Sequence, residues 1–295
     1  MKLKLLCLLL CCSCLTSEKN TAINDVSAEA IGLNRKDSIV VKEYSPLRSG
    51  ETIATRFAPP PGFKRTTINP HSFGAYLRNF KLKPAGDLVY LYSGEIKPRQ
   101  DVHAAVLDIS IGHRDLQQCA DAIIRLRAEY LYAQKRFNEI HFNFTNGFEA
   151  TYKKWRAGQR INVAGRKVTW VEGGQIGVGR RSFLKYLDMV FSYAGTLSLA
   201  KEMIRIVPDH MEIGDVFIQG GSPGHAVIVV DMAQNSAGET MFLLAQSYMP
   251  AQSIHVLNNL EAPRFSPWYS LKETTELITP EWVFEKNSLK RFTNF

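Results

Sequence analysis

After residue 14 this chain of 295 residues has a single cysteine, Cys119, the other four (Cys7, Cys11, Cys12 and Cys14) being crowded into the N-terminus. A disulfide framework is therefore excluded for the body of the chain. No C-x-x-C pair accompanies Cys119 and the seven histidines show no H-x-x-x-H spacing, so the sequence offers no zinc motif, and no other cofactor motif takes its place. Beyond the first fifteen residues no apolar run approaches the roughly 18–20 residues needed to cross a bilayer. Internal repeats and low-complexity tracts are missing too. The excess of 36 basic over 28 acidic residues is spread along the chain with no nucleic-acid motif beside it, which points away from a DNA or RNA partner. What is present is 45% apolar and 22% charged side chains, the proportions of a globular protein that can bury a core without staples.

The N-terminus reads as an address. Lys2 and Lys4 form a basic start, and Leu5 to Cys12 is an apolar stretch too short to span a membrane. The run Leu9-Leu10-Cys11-Cys12-Ser13-Cys14 resembles the cleavage box of bacterial lipoproteins, in which a small residue precedes the lipidated cysteine. That resemblance implies a signal peptide over 1–13 and a lipid anchor at Cys14, with Cys12 as the rival site. It further implies a membrane partner through the lipid and residence in the cell envelope. Leu15 lacks the character of an inner-membrane retention residue, which favours the outer membrane. Residues 14–50 are polar and aperiodic and read as a tether, followed by one α+β domain over 51–295.

Within that domain, Leu88–Tyr92, Ala104–Ile109, Val168–Val171, Asp215–Ile218, Ala226–Val230 and Met241–Ala245 read as strands. Helical patterns run from Leu116 to about Phe137, from Ser182 to Tyr193 and from Thr196 to Ile204. Asp115-Leu116-Gln117-Gln118 has the spacing of a capping box, with Asp115 at the N-cap, so Cys119 falls in the first helical turn. Free amides and the helix dipole favour an anion there, which predicts a lowered thiol pKa and a nucleophile. Gln117 or Gln118 can add a side-chain donor for an oxyanion, although capping accounts for Gln118 equally well. A buried, inert cysteine is the competing reading.

A cysteine nucleophile needs a base. Six of the histidines have no distinctive setting, but His225 follows the glycine-rich loop Gly220–Gly224 and opens a buried strand, where an imidazole can be held rigidly. A third residue should accept its Nδ1 proton. Asp231 lies six residues along the same strand, about 20 Å away at roughly 3.3 Å per residue, and is out of reach. Gln246 ends the next strand, and a hairpin symmetric about Asn235 and Ser236 sets it directly opposite His225.

Other motifs carry less. Gly220-Gly221-Ser222-Pro223-Gly224 satisfies the serine-elbow pattern G-x-S-x-G, but Pro223 has no N–H for an oxyanion and a strand follows where a helix is needed. The loop Gly173–Gly179 is not a phosphate loop, although Arg180 and Arg181 beyond it can meet an anion. The four tryptophans, Trp155, Trp170, Trp268 and Trp282, read as core or groove anchors.

Cys119-Ala120-Asp121-Ala122 opening a helix, then Glu212–Ile218, then Gly224–Val229, then a strand ending in a polar residue, resembles the papain-like fold of NlpC-type and CHAP-type cell-wall amidases. The resemblance implies a nucleophile at the start of a helix packed on an antiparallel sheet. It also implies an envelope cysteine hydrolase cleaving an amide with Cys119, His225 and Gln246, and peptidoglycan stem peptides as substrate. Over 51–295, segments such as Asp115–Asp121 and Leu244–Pro250 are similar to a family of bacterial lipoproteins defined only as a domain of unknown function. A non-catalytic binding or assembly module on the same scaffold is the alternative.

Overall fold

The computed structural model describes residues 47–293, apart from 273. The leader over 1–13, Cys12, Cys14 and most of the tether lie outside the described residues. The end of the expected tether belongs to the domain: Leu47 bridges Phe57, and Arg48 N donates to Arg56 O at 2.8 Å.

In chain order the elements are α1 (Ile53–Arg56), β1 (Lys64–Arg65), α2 (Phe73–Arg78), β2 (His103–Val106), α3 (Cys119–Ala133), β3 (His141–Asn143), β4 (Glu149–Thr151), α4 (Tyr152–Arg156), β5 (Arg160–Ala164) and β6 (Lys167–Val171). There follow α5 (Arg180–Tyr193), α6 (Thr196–Glu202), β7 (Met203–Arg205), β8 (Val216–Gln219), β9 (His225–Gln234), β10 (Thr240–Gln246), β11 (His255–Leu257), β12 (Glu276–Ile278), β13 (Val283–Glu285) and β14 (Leu289–Phe292). The fold is α+β. A principal sheet runs β2-β11-β10-β9-β8-β14-β7 with β1 added on β9, and its pairings are antiparallel.

The centre of the molecule is β9 with α3 packed on it. Ala226–Val230 carries no polar side chain, and β9 is buried from His225 to Ala233. Asp231 lies in that run with no exposure, and its carboxylate is held by Arg65 Nε at 2.7 Å and Arg78 Nε at 2.6 Å, so the buried charge is paired. Helix α3 is buried from Cys119 to Leu131, and it carries a buried ion pair of its own. Arg125 Nε donates to Glu129 Oε1 at 2.6 Å, and Arg125 Nη1 to Gln117 Oε1 at 2.9 Å.

Local signals misplaced three helix boundaries. Helix α3 begins at Cys119 rather than Leu116, because Asp115 is used elsewhere: its Oδ1 accepts from Ala251 N at 2.7 Å and from Gln118 Nε2 at 3.0 Å. Gln118 is the N-cap, and Asp121 closes the turn by accepting from Gln118 N at 3.2 Å. The helix ends at Ala133, before Lys135 with φ 57°, short of Phe137. Met203 and Ile204, expected to finish a helix, instead belong to β7, which pairs with β14. The segment Leu88–Tyr92 makes only single bridges, at Tyr90 and Leu91.

The β9–β10 hairpin departs from the symmetric register. Thr240 pairs with Gln234 and Leu243 with Asp231, after a loop in which Asn235 Oδ1 accepts from Ala237 N at 3.0 Å and Glu239 N at 2.9 Å. The turn therefore spans Asn235–Glu239 rather than two residues. Between Leu243 and Leu244 the register shifts, leaving Leu244 opposite Val229 and Val230 as the extra residue of a bulge.

Candidate active site

A cleft of about 640 Å³ opens where the start of α3, the start of α6, the Gly221–Gly224 loop and the loop after β10 meet. Cys119 and His225 both line it, with Gln118, Asp121, Thr196, Tyr248 and Trp282. Cys119 is the first residue of α3 and is 7% exposed. His225 is the first residue of β9 and 2% exposed.

Two glycines make this placement possible. A Cβ on Gly224 would stand 2.5 Å from both Gly221 O and Thr196 Oγ1, so only glycine lets the loop fold against α6 just before His225. Gly214, at φ +104° and with Phe73 2.9 Å from where its Cβ would be, turns the chain into β8.

His225 Nε2 lies 2.8 Å from Gln246 Oε1. An amide oxygen only accepts, so Nε2 carries the proton and Nδ1 keeps its lone pair. This reverses the expectation that Nδ1 donates to the orienting residue. It follows from geometry: Gln246 is not directly opposite His225 but, on the observed register, beside Val227 and diagonal to the imidazole. The imidazole ring is packed among Tyr248, Trp282 and Phe284, with centroids 4.8, 5.3 and 5.8 Å away. Among the described residues no hydrogen bond joins Cys119 to His225. The backbone amides of Ala120, Ala226 and Cys119 favour the thiolate of Cys119.

Burial outweighs those amides. It pushes the Cys119 thiol up to about 11, with Asp121 adding to the rise, opposite in sign to the lowering expected from the helix start alone. Burial also pushes His225 down to about 4, against the bond to Gln246 and assisted by the charge of Lys97. The resting cleft thus holds a neutral thiol and a neutral imidazole. Asp121 is itself raised well above the carboxylate range by burial, and its Oδ1 has no hydrogen-bond partner.

The two glutamine candidates separate. Gln118 borders the cleft with its amide nitrogen on Asp115. Gln117 does not line it: the side chain is 1% exposed and its oxygen is held by Arg125, so it is part of the packing beneath α3. Arg180 is paired with Glu129, its Nη2 donating to Oε1 at 2.6 Å. Three tryptophans are structural, Trp155 Nε1 donating to Ser182 Oγ, Trp268 Nε1 to Ala58 O, and Trp170 stacking near Phe148. Trp282 alone of the four lines the cleft.

Sequence reasoning missed three members of the site. His255 is fully buried and lies directly opposite Gln246. Glu281 Oε2 accepts from Gln246 Nε2 at 2.7 Å, and Lys97 Nζ is 2.6 Å from Glu281 Oε1. The only local hint was a lone acidic residue in Thr279-Pro280-Glu281-Trp282-Val283-Phe284. Among the described residues no group of three or more His, Cys, Asp and Glu side chains could hold a metal ion. No helix of the described residues is long and apolar enough to cross a membrane.

Fold and cleft together define an α+β domain whose central helix starts with a buried cysteine, lining a cleft that also holds a histidine bonded to the Gln246 amide. The family described as Domain of unknown function (4846) matches residues 53–291, and the chain belongs to that family. No curated protein and no solved structure matches the chain.

Proposed function

We propose that this protein is a lipid-anchored cysteine hydrolase of the bacterial cell envelope, built on a papain-like scaffold and cleaving amide bonds. The observation that carries the reading is the 2.8 Å bond between His225 Nε2 and Gln246 Oε1 at the edge of a cleft that Cys119 also lines. In this reading His225 Nδ1 takes the thiol proton as sulfur attacks the carbonyl carbon. The new acyl–sulfur bond forms, the C–N bond breaks, and the amine leaves with that proton. Water then hydrolyses the thioester with His225 as base. The backbone N–H of Cys119 and the Gln118 side chain are the candidate oxyanion donors. The neutral Cys119–His225 pair suits general-base attack within a substrate complex rather than a standing ion pair.

The resemblance to cell-wall amidases makes peptidoglycan stem peptides the substrate class, and anchorage through Cys14, or Cys12, would hold the domain beside that polymer, on the outer membrane. The raised thiol of Cys119 favours one competing reading, a binding module that retains the scaffold without turnover. The full lipidated chain in detergent, incubated with peptidoglycan fragments, separates the two. Hydrolysis read by mass spectrometry, lost in Cys119→Ser and His225→Ala, supports the hydrolase. Unchanged fragments that nonetheless co-sediment with the protein support the module.

A further inference from the structure

Glutamine has one acceptor and two donors on its amide, and at Gln246, 1% exposed, all three are used. Oε1 faces His225 Nε2 at 2.8 Å, while Nε2 faces Glu281 Oε2 at 2.7 Å and His255 Nε2 at 3.4 Å. His255 Nδ1 lies 2.9 Å from Ser253 O, a group that only accepts, so His255 carries its proton on Nδ1 and presents a lone pair to Gln246. The Glu281 carboxylate also only accepts, and its other oxygen is paired with Lys97, both side chains being about nine-tenths buried (7% and 11% exposed). One donor and two acceptors therefore surround the amide, and a single orientation satisfies them. Turned over, the amide would set its oxygen against a carboxylate oxygen at 2.7 Å and its NH₂ against the imidazole.

We infer that Glu281, held by Lys97, is a positioning residue: it dictates which way the Gln246 amide faces and thereby which nitrogen of His225 carries the proton. His225 is then locked as the Nε2–H tautomer with Nδ1 free to accept. This also explains why the position holds glutamine. An Asp or Glu at 246 would confront Glu281, and a shorter Asn would not span both His225 and Glu281. Hairpin β12–β13, which carries Glu281 at its turn and Trp282 and Phe284 against the His225 ring, becomes the clamp of the histidine. The tautomer stands independently of activity. Its catalytic consequence rests on the hydrolase reading.

The test is ¹⁵N NMR of histidine-labelled full chain in detergent, which distinguishes protonated from lone-pair ring nitrogens. The expected wild-type spectrum shows His225 as Nε2–H and His255 as Nδ1–H throughout pH 6–8. Glu281→Gln, nearly isosteric, lets either face of the Gln246 amide meet residue 281, and His225 becomes a mixture of tautomers. Where turnover is measurable, kcat/KM falls roughly tenfold or more, as for loss of an orienting partner. Gln246→Leu, which removes the acceptor at Nε2, should lose the tautomer preference. An Nδ1–H wild-type His225, or an unaltered tautomer in folded Glu281→Gln, overturns the inference. If Glu281→Gln does not fold, the wild-type spectrum and Gln246→Leu decide. A locked tautomer in a chain that hydrolyses nothing would sustain this inference while sinking the hydrolase.

Discussion

Gln246 shares a face of the sheet with His225 only because β9 contains one residue more than its partner strand. The hairpin starts with Gln234 opposite Thr240 and Asp231 opposite Leu243, a register that would carry Gln246 to Ile228 and the other face. The bulge at Val230 resets it to Leu244 opposite Val229 and Ala245 opposite Ile228, and the next step brings Gln246 beside Val227, whose side His225 shares.

The thiol is predicted to be slow at neutral pH. Alkylation of Cys119 by iodoacetamide in the folded chain should climb with pH toward a midpoint near 11. A midpoint close to the free-cysteine value of about 8.5, or below it, would show that the helix start wins over burial. Asp121→Asn keeps an acceptor for Gln118 N but removes a charge beside the sulfur, so the midpoint should fall while staying above that of a free thiol.

For His225 the expected titration lies near pH 4 instead of about 6.5, because desolvation penalises the imidazolium. Its NMR signals should stay fixed between pH 8 and 5, and any acid limb of kcat/KM should fall near pH 4. His225→Ala should reduce turnover by roughly 10²–10⁴-fold, the usual share of a general base. A limb near 6.5 would mean that water reaches the ring.

Glu202 supplies a stability test away from the cleft. Burial raises its carboxyl from 4.5 to about 7, against a hydrogen bond accepted from Asn143 N. Between those values the folded chain keeps a proton that the unfolded chain has released. The stabilisation from this group is therefore complete below pH 4.5 and lost as pH rises to about 7. Glu202→Gln is always neutral, so its stability to urea should match the wild type at pH 4 and exceed it at pH 8 by about 1–2 kcal/mol. Equal stability at both pH values would place the carboxyl in the ordinary range.

Gly224→Ala probes the loop ahead of His225. With 2.5 Å between the new Cβ and both Gly221 O and Thr196 Oγ1, the loop must leave α6, at a cost of about 1–3 kcal/mol. Urea denaturation gives the loss, and displaced His225 ring signals should accompany it. A neutral substitution would show the loop to be yielding.

Cys119, His225 and Gln246 were legible because each stands at the end of an element with a strong local pattern: an apolar helix, a glycine-rich loop before an apolar strand, and the close of the next apolar strand. What was illegible depends on partners distant in sequence. Asp115 looked like a cap until Ala251 N claimed it. The register was hidden by a five-residue turn and a bulge that no single residue announces. Glu281 meets Gln246 across 35 positions and Lys97 across 184. The sign of the Cys119 shift failed for the same reason, since a helix start is local and desolvation is a property of the assembled core.

Hairpin β12–β13 and strand β14 follow the rest of the site in the chain, and this orders events in time. Before residue 281 has joined the fold, Gln246 lacks the acceptor that aligns it and the His225 ring lacks Trp282 and Phe284. Until β14 inserts between β8 and β7, the sheet is also unclosed on that side. A chain made only as far as β11, or clipped before residue 281, therefore carries Cys119 without an aligned histidine, and the centre is completed only once β12–β13 has joined the fold.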